Sequence, residues 1–362
     1  MLLNEGDLIN TFEVERFLGE GAFAEVYRVK HKFLGRQAMK VFKCPGDSQA
    51  EVHEMLGEAV LLSRIGHPNI IRVFDAGVLP TATGECAYFT MEYVAGGNLE
   101  TFWRSHGSRF VPVADAVDIV RQACRGLAVA HAEQPPIIHR DVKPQNILIG
   151  YDAVGLRARV SDFGLARRVN PLTLLATARG TRGFKPPEFL KNVDSCAGDV
   201  WGAGSVLYLL LTDRLPFPEA ARDGEPDAGA WEQPLMPPSH FNARVDPELD
   251  AILARALAPL PVDRYLDAEK MLDDLMRWRP PEARERAPAR ERPGAAKAAD
   301  GLPPLPGRAT VEGMVHQALD MAHDARRLME AADLLEEALN LRPELRQAYE
   351  YQLRLWRRGI SM

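Results

Sequence analysis

The sequence lacks three features that would assign it to other classes of protein. Its four cysteines, Cys44, Cys86, Cys124 and Cys196, are scattered and include no CxxC pair. We therefore expect buried free thiols and a reducing compartment. No basic segment leads into an apolar run at the start of the chain, so the sequence predicts no export signal. The most apolar run, 202–211, is too short to span a bilayer and is typical of a core helix. Together these absences favour a cytoplasmic protein without a membrane span.

The chain also lacks an excess of positive charge. Its formal net charge is −6, which argues against a bulk nucleic-acid binder and predicts no nucleic-acid partner. An apolar content of 46% is ample for a buried core, and 362 residues suggest two or three domains.

Composition divides the chain into three zones. Residues 1–278 form one continuous unit, with strand-like patterns to about residue 94 and helical patterns from about 95. A small β-rich part joined to a larger helical part predicts an α+β fold of two lobes with a cleft between them. Residues 279–309 are rich in Pro, Ala and Arg, which is typical of an extended linker. Residues 310–362 return to helical periodicity.

Strand patterns in the first lobe place particular side chains together. Alternation from Phe12 to Leu18 begins a predicted five-stranded sheet. In its third strand, 37–42, the period of two puts Ala38 and Lys40 on one face. A helix predicted at 49–65 carries Glu58.

One short stretch carries the residues that phosphoryl transfer needs. His139-Arg140-Asp141-Val142-Lys143-Pro144-Gln145-Asn146 is followed by Asp162-Phe163-Gly164. Asp141 can accept a hydroxyl proton, and Lys143 can neutralise a moving phosphate. Asn146 and Asp162 can supply oxygens to Mg²⁺.

With these motifs in order, the chain from Phe12 to Trp278 resembles the Ser/Thr protein kinases, especially the bacterial, eukaryotic-like members. The loop Gly19-Glu20-Gly21-Ala22-Phe23-Ala24-Glu25-Val26 resembles G-x-G-x-x-G-x-V, with Ala24 where the third glycine is usual. Lys40 and Glu58 match the phosphate-holding lysine and its helix glutamate. Taken singly, the loop would be an ordinary hairpin turn, Lys40 a solvated strand lysine and Glu58 a surface carboxylate.

The resemblance implies a full set of site residues. ATP and Mg²⁺ are the implied cofactors, with Mn²⁺ as an alternative ion. Lys143, two residues after Asp141, implies alcohol rather than phenol acceptors. The implied catalytic residues are Asp141, Lys143, Lys40 and Glu58, and Asn146 and Asp162 are the implied metal ligands. The implied ATP-binding residues are Gly19, Glu20, Gly21, Ala22, Phe23, Val26, Ala38, Lys40, Met91, Glu92, Val94, Asn146 and Asp162.

The segment 162–188 resembles an activation segment. Thr173, Thr177 and Thr181 are candidate phosphorylation sites, and Thr181 also resembles the threonine that contacts the catalytic loop. Pro186-Pro187-Glu188 departs slightly from the usual Ala-Pro-Glu ending. Glu188 is implied to pair with Arg264.

Two further side chains are given roles around the catalytic loop. Asp199 is implied to brace the loop through backbone N–H groups. Arg140 is implied to pair with a phosphorylated activation-segment residue.

The last zone resembles a tetratricopeptide repeat followed by a capping helix at 344–358. One repeat cannot easily bury its own face, so it should need a partner: a protein, another subunit or the kinase domain. We expect exposed Tyr349, Tyr351 and Trp356 to favour docking. A plain helical pair with no binding role is the alternative. The residues whose spacing carries this resemblance are Val315, Ala318, Leu319, Ala322, Ala331, Leu335 and Ala338.

Three functions remain open from the sequence. The first is an active Ser/Thr protein kinase that also phosphorylates its own activation segment. The second is a catalytically weak pseudokinase that acts as a scaffold through its C-terminal helices. The third, a small-molecule kinase, fits poorly because Arg140, Lys143 and the 180–184 segment are present.

Overall fold

The amino-terminal residues form an antiparallel sheet. The computed structural model describes residues 1–357 apart from 22–23, 44–55, 58, 60–61, 82–83, 107–109, 153–154, 164–181, 192, 222–227, 232, 281–310, 325–326 and 343–344. The strands are β1 (Leu8–Ile9), β2 (Phe12–Glu20), β3 (Ala24–His31), β4 (Gly35–Phe42), β5 (Val73–Thr81) and β6 (Gly84–Glu92). They lie in the order β1-β2-β3-β4-β6-β5. The prediction of five strands was wrong by one, because the two residues of β1 pair with Phe12 and Glu13 of β2.

The two faces of β4 pack into different cores, as the period of two predicts. Met39 and Val41 are both 0% exposed and pack with Tyr27 on one face of the sheet. Ala38 belongs to the core on the other face, which continues into the helical lobe. Lys40 shares that face by alternation and is only 4% exposed. The strand therefore presents Lys40 toward the cleft between the lobes.

The helical lobe follows the sheet. Its helices are α1 (Leu99–Ser105), α2 (Val113–His131), α3 (Cys196–Thr212), α4 (Pro238–Phe241), α5 (Pro247–Ala256) and α6 (Ala268–Arg277). A two-stranded sheet of β7 (Ile147–Asp152) and β8 (Gly155–Val160) lies beside α1 and α2. Asn98, Ser195, Asp246 and Asp267 each cap a helix by accepting the backbone N–H three residues later.

Short one-turn 3₁₀ segments connect these elements. They span Pro144–Asn146, Arg182–Phe184, Pro187–Lys191, Pro218–Ala221, Ala228–Trp231 and Pro261–Asp263. Two of them lie in the candidate site described below.

Helix α3 approaches the predicted catalytic loop closely at Gly202. A Cβ atom on Gly202 would lie 2.7 Å from Cβ of Val142 and 2.9 Å from its carbonyl oxygen. Only glycine allows the helix and the loop to meet at this distance. The contact places the loop directly on the most buried helix of the lobe.

Three helices follow the undescribed segment 281–310: α7 (Val311–Met321), α8 (Leu328–Leu341) and α9 (Arg346–Arg357). They bury a core of their own, to which the small and apolar residues singled out by spacing contribute. Trp356 was expected on the surface and is instead 3% exposed within this core. It shares a helix face with Tyr349 and Leu353, at spacings of about one and two turns, so the face is an inward one. Tyr351 is 68% exposed.

Asp333 of α8 joins these helices to the N-terminal sheet. Its side chain is 1% exposed and pairs with Arg16 at 2.6 Å, with Arg357 at 2.6 Å and with Arg28. It also accepts a hydrogen bond of 2.8 Å from the Tyr93 hydroxyl. Burial would raise the pKa of Asp333, but the three guanidinium charges outweigh it and lower that pKa. These five residues are called the Asp333 cluster below.

Neighbouring acids extend the same contact. Glu336 lies 2.9 Å from Arg36 of β4 and also pairs with Arg357. Glu15 of β2 lies 2.6 Å from Arg28 and 3.1 Å from Arg36. The arginines of β2, β3 and β4 therefore face acidic partners on α8.

The sequence predicts free thiols and no membrane span, and the described cysteines and helices bear on both expectations. Cys86, Cys124 and Cys196 are thiols and form no disulfide in the described part of the chain, and Cys44 lies outside it. No helix within the described residues is long and apolar enough to cross a bilayer.

Candidate active site

Buried polar contacts fix the loop that begins at His139. Asp199 of α3 accepts the backbone N–H groups of His139 and Arg140, each at 2.7 Å, which confirms the expected brace. His139 is 0% exposed, and its Nε2 lies 2.8 Å from the carbonyl oxygen of Ser161. Its Nδ1 accepts the backbone N–H of Asp141 at 3.2 Å. Burial is the main cause that lowers the pKa of His139, so the ring is neutral and suits this pattern of one donor and one acceptor.

Two lysines form ion pairs with the Asp141 carboxylate. Oδ2 lies 2.6 Å from Nζ of Lys143, and Oδ1 lies 2.8 Å from Nζ of Lys185. Nδ2 of Asn146 donates to Oδ2 at 3.0 Å. Burial would raise the pKa of Asp141, but the charges of Lys185 and Lys143 outweigh it and hold the pKa well below its usual range. The carboxylate is therefore ionised at neutral pH.

Lys40 and Asp162 meet across the cleft. Nζ of Lys40 lies 2.7 Å from Oδ1 of Asp162. Asp162 has a positive φ of 64°, and the next residue, Phe163, is 2% exposed with its ring 4.6 Å from that of His139. The aromatic contact anchors the backbone that presents Asp162 toward the sheet. Glu58, the predicted partner of Lys40, lies outside the described residues.

Cross-strand pairing brings four of the implied ATP-binding residues together. Val26 of β3 lies opposite Lys40, and Ala38 of β4 lies opposite Met91 of β6. Directly opposed residues point to the same face of a sheet. Val26, Ala38, Lys40 and Met91 therefore form one surface at the cleft, and Ala38 and Met91 are 5% and 6% exposed.

The predicted glycine loop turns between β2 and β3. Gly19 and Glu20 pair with Val26 and Glu25, and the N–H of Gly21 donates to the carbonyl of Ala24 at 2.8 Å. Ala22 and Phe23 lie outside the described residues.

A lysine that the sequence did not single out joins this loop to β4. Nζ of Lys43 donates to the carbonyl of Gly21 at 2.8 Å and also pairs with Glu20. Both contacts hold the turn by its backbone and its acidic side chain.

The implied ATP-binding residues Met91, Glu92 and Val94 lie at the end of β6 and just after it. The N–H of Glu92 donates to the carbonyl of Arg72 at 2.9 Å, so an adenine would meet the Glu92 carbonyl rather than its N–H. The Glu92 side chain turns away to Arg159, at 3.1 Å. Val94 is partly buried against the core, and its carbonyl accepts the N–H of Gly97 at 3.3 Å.

Asn146 and Asp162 fit a divalent cation bound together with phosphates. The N–H of Ser161 donates to the Asn146 carbonyl at 2.9 Å, which places the following Asp162 beside Asn146. Since Nδ2 of Asn146 is used by Asp141, its Oδ1 is the atom suited to a cation. No cluster of three or more metal-binding side chains lies within the described residues. Mg²⁺ held by one or two oxygens plus phosphates needs none.

The activation segment is described only at its ends. Thr173, Thr177 and Thr181 lie outside the described residues. At the far end, Glu188 pairs with Arg264 through two contacts of 2.7 and 2.8 Å, which confirms the expected pair. Both side chains are at most 9% exposed.

Arg140 has an acidic partner that the sequence did not predict. Its Nε donates to Oδ2 of Asp194 at 2.7 Å. A phosphorylated residue would have to compete with this carboxylate for Arg140.

Lys185 is the most important residue that sequence reasoning missed. It directly precedes the Pro-Pro-Glu ending, and no motif in the sequence pointed to it. Its contact with Asp141 spans 44 residues, and no periodicity predicts such a contact.

A family model and several curated relatives are similar to this chain. A family model described as "Protein kinase domain" matches residues 12–286. The chain is 35% identical over 283 residues to serine/threonine-protein kinase PknB of Mycolicibacterium smegmatis. It is 33% identical over 287 residues to PknB of Mycobacterium tuberculosis. These alignments cover 75% and 76% of this chain but only 43% and 44% of those proteins, so the chain spans less than half their length.

A solved structure shows the same fold. The kinase domain of Mycobacterium tuberculosis PknI superposes with a TM-score of 0.55 at 26% sequence identity. The superposition covers 76% of this chain and 98% of that chain. Helices α7 to α9 lie beyond the residues that the family model matches.

Proposed function

The chain belongs to the protein kinase family, and from this premise we propose that it transfers the γ-phosphate of ATP to serine and threonine hydroxyls of proteins. The observation that carries the proposal is the 2.6 Å ion pair of Asp141 with Lys143, on a loop that also presents Asn146. The PknB relatives are named as serine/threonine kinases, which supports the same acceptor class.

Asp141 orients the incoming hydroxyl and takes its proton. Its low pKa makes it a weak base, and a loose phosphoryl-transfer transition state needs orientation more than basicity. Lys143, already beside the carboxylate, is placed to neutralise charge on the transferred group.

The remaining residues hold the nucleotide. Lys40 is buried at the cleft and pairs with Asp162 in this structure. When ATP binds, the Lys40 ammonium contacts the phosphates instead of Asp162. Asn146 and Asp162 would hold Mg²⁺, or Mn²⁺, and the ion when bound neutralises phosphate charge. Val26 and Ala38 cover one side of the base.

The test is transfer of labelled γ-phosphate to a protein substrate. Wild-type protein should label itself and a basic test protein, and hydrolysis should release phosphoserine or phosphothreonine. Asp141→Asn should reduce transfer by about 10²-fold or more, because it removes the proton acceptor. Asp273→Asn, at an exposed aspartate on α6, is the matched control and should leave transfer unchanged. Phosphotyrosine as the main product would refute the acceptor class.

A scaffold without transfer is the second candidate. Such proteins lose catalytic residues, whereas Lys40, Asp141, Asn146 and Asp162 are all present here. Lys40 contacts Asp162, and Asn146 contacts Asp141. Absence of transfer by wild-type protein with either Mg²⁺ or Mn²⁺ would favour the scaffold.

We also propose that the kinase phosphorylates its own activation segment at Thr173, Thr177 or Thr181. Arg140 supports this, because it precedes Asp141 and can exchange Asp194 for a phosphate. Mass spectrometry of active protein should find at least one of the three modified, and Asp141→Asn protein should carry none.

The proposed role of 310–362 is a tetratricopeptide-like unit whose first partner is the chain itself. The contacts of Asp333 and Glu336 with the sheet support this. Exposed Tyr351 leaves room for a further protein partner or a second copy. We also propose a cytoplasmic location, which the thiols of Cys86, Cys124 and Cys196 support.

A further inference from the structure

Lys185 lies deep in the candidate site although no part of the proposed transfer has used it. Its side chain is 7% exposed. Nζ donates to Oδ1 of Asp141 at 2.8 Å and to the carbonyl oxygen of Arg140 at 2.7 Å. The ammonium also lies 5.2 Å from the ring centre of Phe189. A buried ammonium is tolerated only when it is paired, and Asp141 supplies that pairing.

The backbone around Lys185 is held firmly enough to position it. Its N–H donates to the carbonyl of Arg182 at 3.0 Å, which closes a tight turn. Phe184 is 7% exposed, and a Cβ on Gly183 would lie 2.5 Å from Cδ1 of Leu215. The turn is therefore packed against the helical lobe.

The two lysines hold the two oxygens of Asp141 separately. Lys143, from the catalytic loop, takes Oδ2, and Lys185, from the end of the activation segment, takes Oδ1. Each carboxylate oxygen can accept two hydrogen bonds, so a substrate hydroxyl can still bind. With only Lys143 and Asn146 present, both contacts would fall on Oδ2 and leave the carboxylate free to rotate about that anchor.

We propose that Lys185 is a positioning residue that orients the Asp141 carboxylate and offsets its negative charge. Catalysis would then depend on an ordered end of the activation segment, which carries Lys185. This rests on the proposed kinase function. It adds a second cation at the proposed catalytic aspartate, supplied by the described end of the activation segment.

The test compares Lys185→Met, which keeps the length of the side chain, with Lys185→Arg, which keeps the charge. Lys185→Met should lower kcat by about 10- to 100-fold, within the range that acid–base positioning contributes. The KM for ATP should change less than twofold, since Lys185 does not face the nucleotide residues. Lys185→Arg should recover most of the rate. Lys191→Met, at an exposed lysine six residues further along the chain, is the matched control and should equal wild type.

Rescue by arginine separates positioning from a role in folding. Lys185→Met should stay folded by circular dichroism while its kcat falls, and Lys185→Arg, which can still pair with Oδ1 of Asp141, should restore kcat. A Lys185→Met enzyme with wild-type kcat, or a Lys185→Arg enzyme as slow as Lys185→Met, would overturn the proposal. A faster Lys185→Met enzyme would also overturn it, because Lys185 would then restrain catalysis.

Crystal structures of wild type and Lys185→Met give a readout that does not need turnover. In Lys185→Met the Asp141 carboxylate should keep Lys143 at Oδ2 and lose the orientation that Lys185 gives to Oδ1. An inactive wild-type protein whose variant shows this change would refute the kinase function and keep the role of the contact. An active wild-type protein whose variant shows no change in the carboxylate would refute the role of Lys185 alone. Should Lys185→Met fail to fold, Lys185→Gln offers a second uncharged variant for both measurements.

Discussion

Replacing Asp333 with alanine removes the acceptor that Arg16, Arg28, Arg357 and the Tyr93 hydroxyl share. Breaking a buried ion pair by removing one partner costs about 3 to 5 kcal/mol, because the remaining charge stays out of water. Two of the arginines keep a partner, Arg28 with Glu15 at 2.6 Å and Arg357 with Glu336. We therefore expect the lower end, about 3 kcal/mol.

The loss should fall on the docking of α7 to α9 and not on the helical lobe. Hydrogen exchange followed by mass spectrometry measures each region separately. Peptides from α8 should exchange about 100-fold faster in Asp333→Ala, which is the rate equivalent of about 3 kcal/mol. Peptides from α3, which is buried in the other lobe, should be unchanged.

An exposed aspartate on α7 provides the control. Asp320→Ala should change stability by about 0.5 kcal/mol or less. Adding Arg16→Met to Asp333→Ala should recover part of the loss, because it removes a buried charge without a partner. If α8 exchanges at the same rate in Asp333→Ala and Asp320→Ala, the cluster does not hold the helices and the reasoning is wrong.

Three more predictions concern single side chains. Lys40→Ala should reduce kcat/KM for ATP by about 100-fold or more while circular dichroism stays unchanged, since Lys40 is the buried cation of the cleft; near-normal turnover would show that it has been misassigned. Arg264→Met should cost about 3 to 5 kcal/mol in chemical denaturation, because Glu188 then loses its buried partner; a loss below about 1 kcal/mol would contradict this. Burial, with the charges of Glu92 and Asp333, raises the pKa of Glu337 to about 6, above its ordinary value of 4.5. Its ionised form is therefore penalised above pH 6, and Glu337→Gln should stabilise the protein by about 1 to 2 kcal/mol at pH 8. That gain should disappear as the pH falls to about 4.5, and a gain that does not depend on pH would exclude the titration of Glu337 as its cause.

Much of the kinase fold follows from local patterns in the sequence. The alternation along β4 correctly separates Met39 and Val41 from Ala38, because a strand has only two faces. The resemblance to the protein kinases correctly predicted that Asp199 holds the backbone N–H groups of the catalytic loop. These predictions succeed because each depends on residues within one element or on a spacing that the whole family shares.

What the sequence did not predict depends on contacts between distant segments. Lys185 meets Asp141 across 44 residues, and Asp333 meets Arg16 across 317 residues. The burial of Trp356 was predictable in principle from its helix face, but a single helix does not show which face meets a partner.

The arginines of the sheet have a practical consequence for experiments on shortened protein. A fragment ending near residue 280 would lose the acids of α8, so that Arg16 would lose Asp333 and Arg28 and Arg36 would keep only Glu15 as an acidic partner. Such a fragment would carry an artificial basic patch that retains polyanions such as heparin or contaminating RNA, most strongly at low salt. Affinity for nucleic acid measured on that fragment would then result from the truncation and would not be a property of the whole chain.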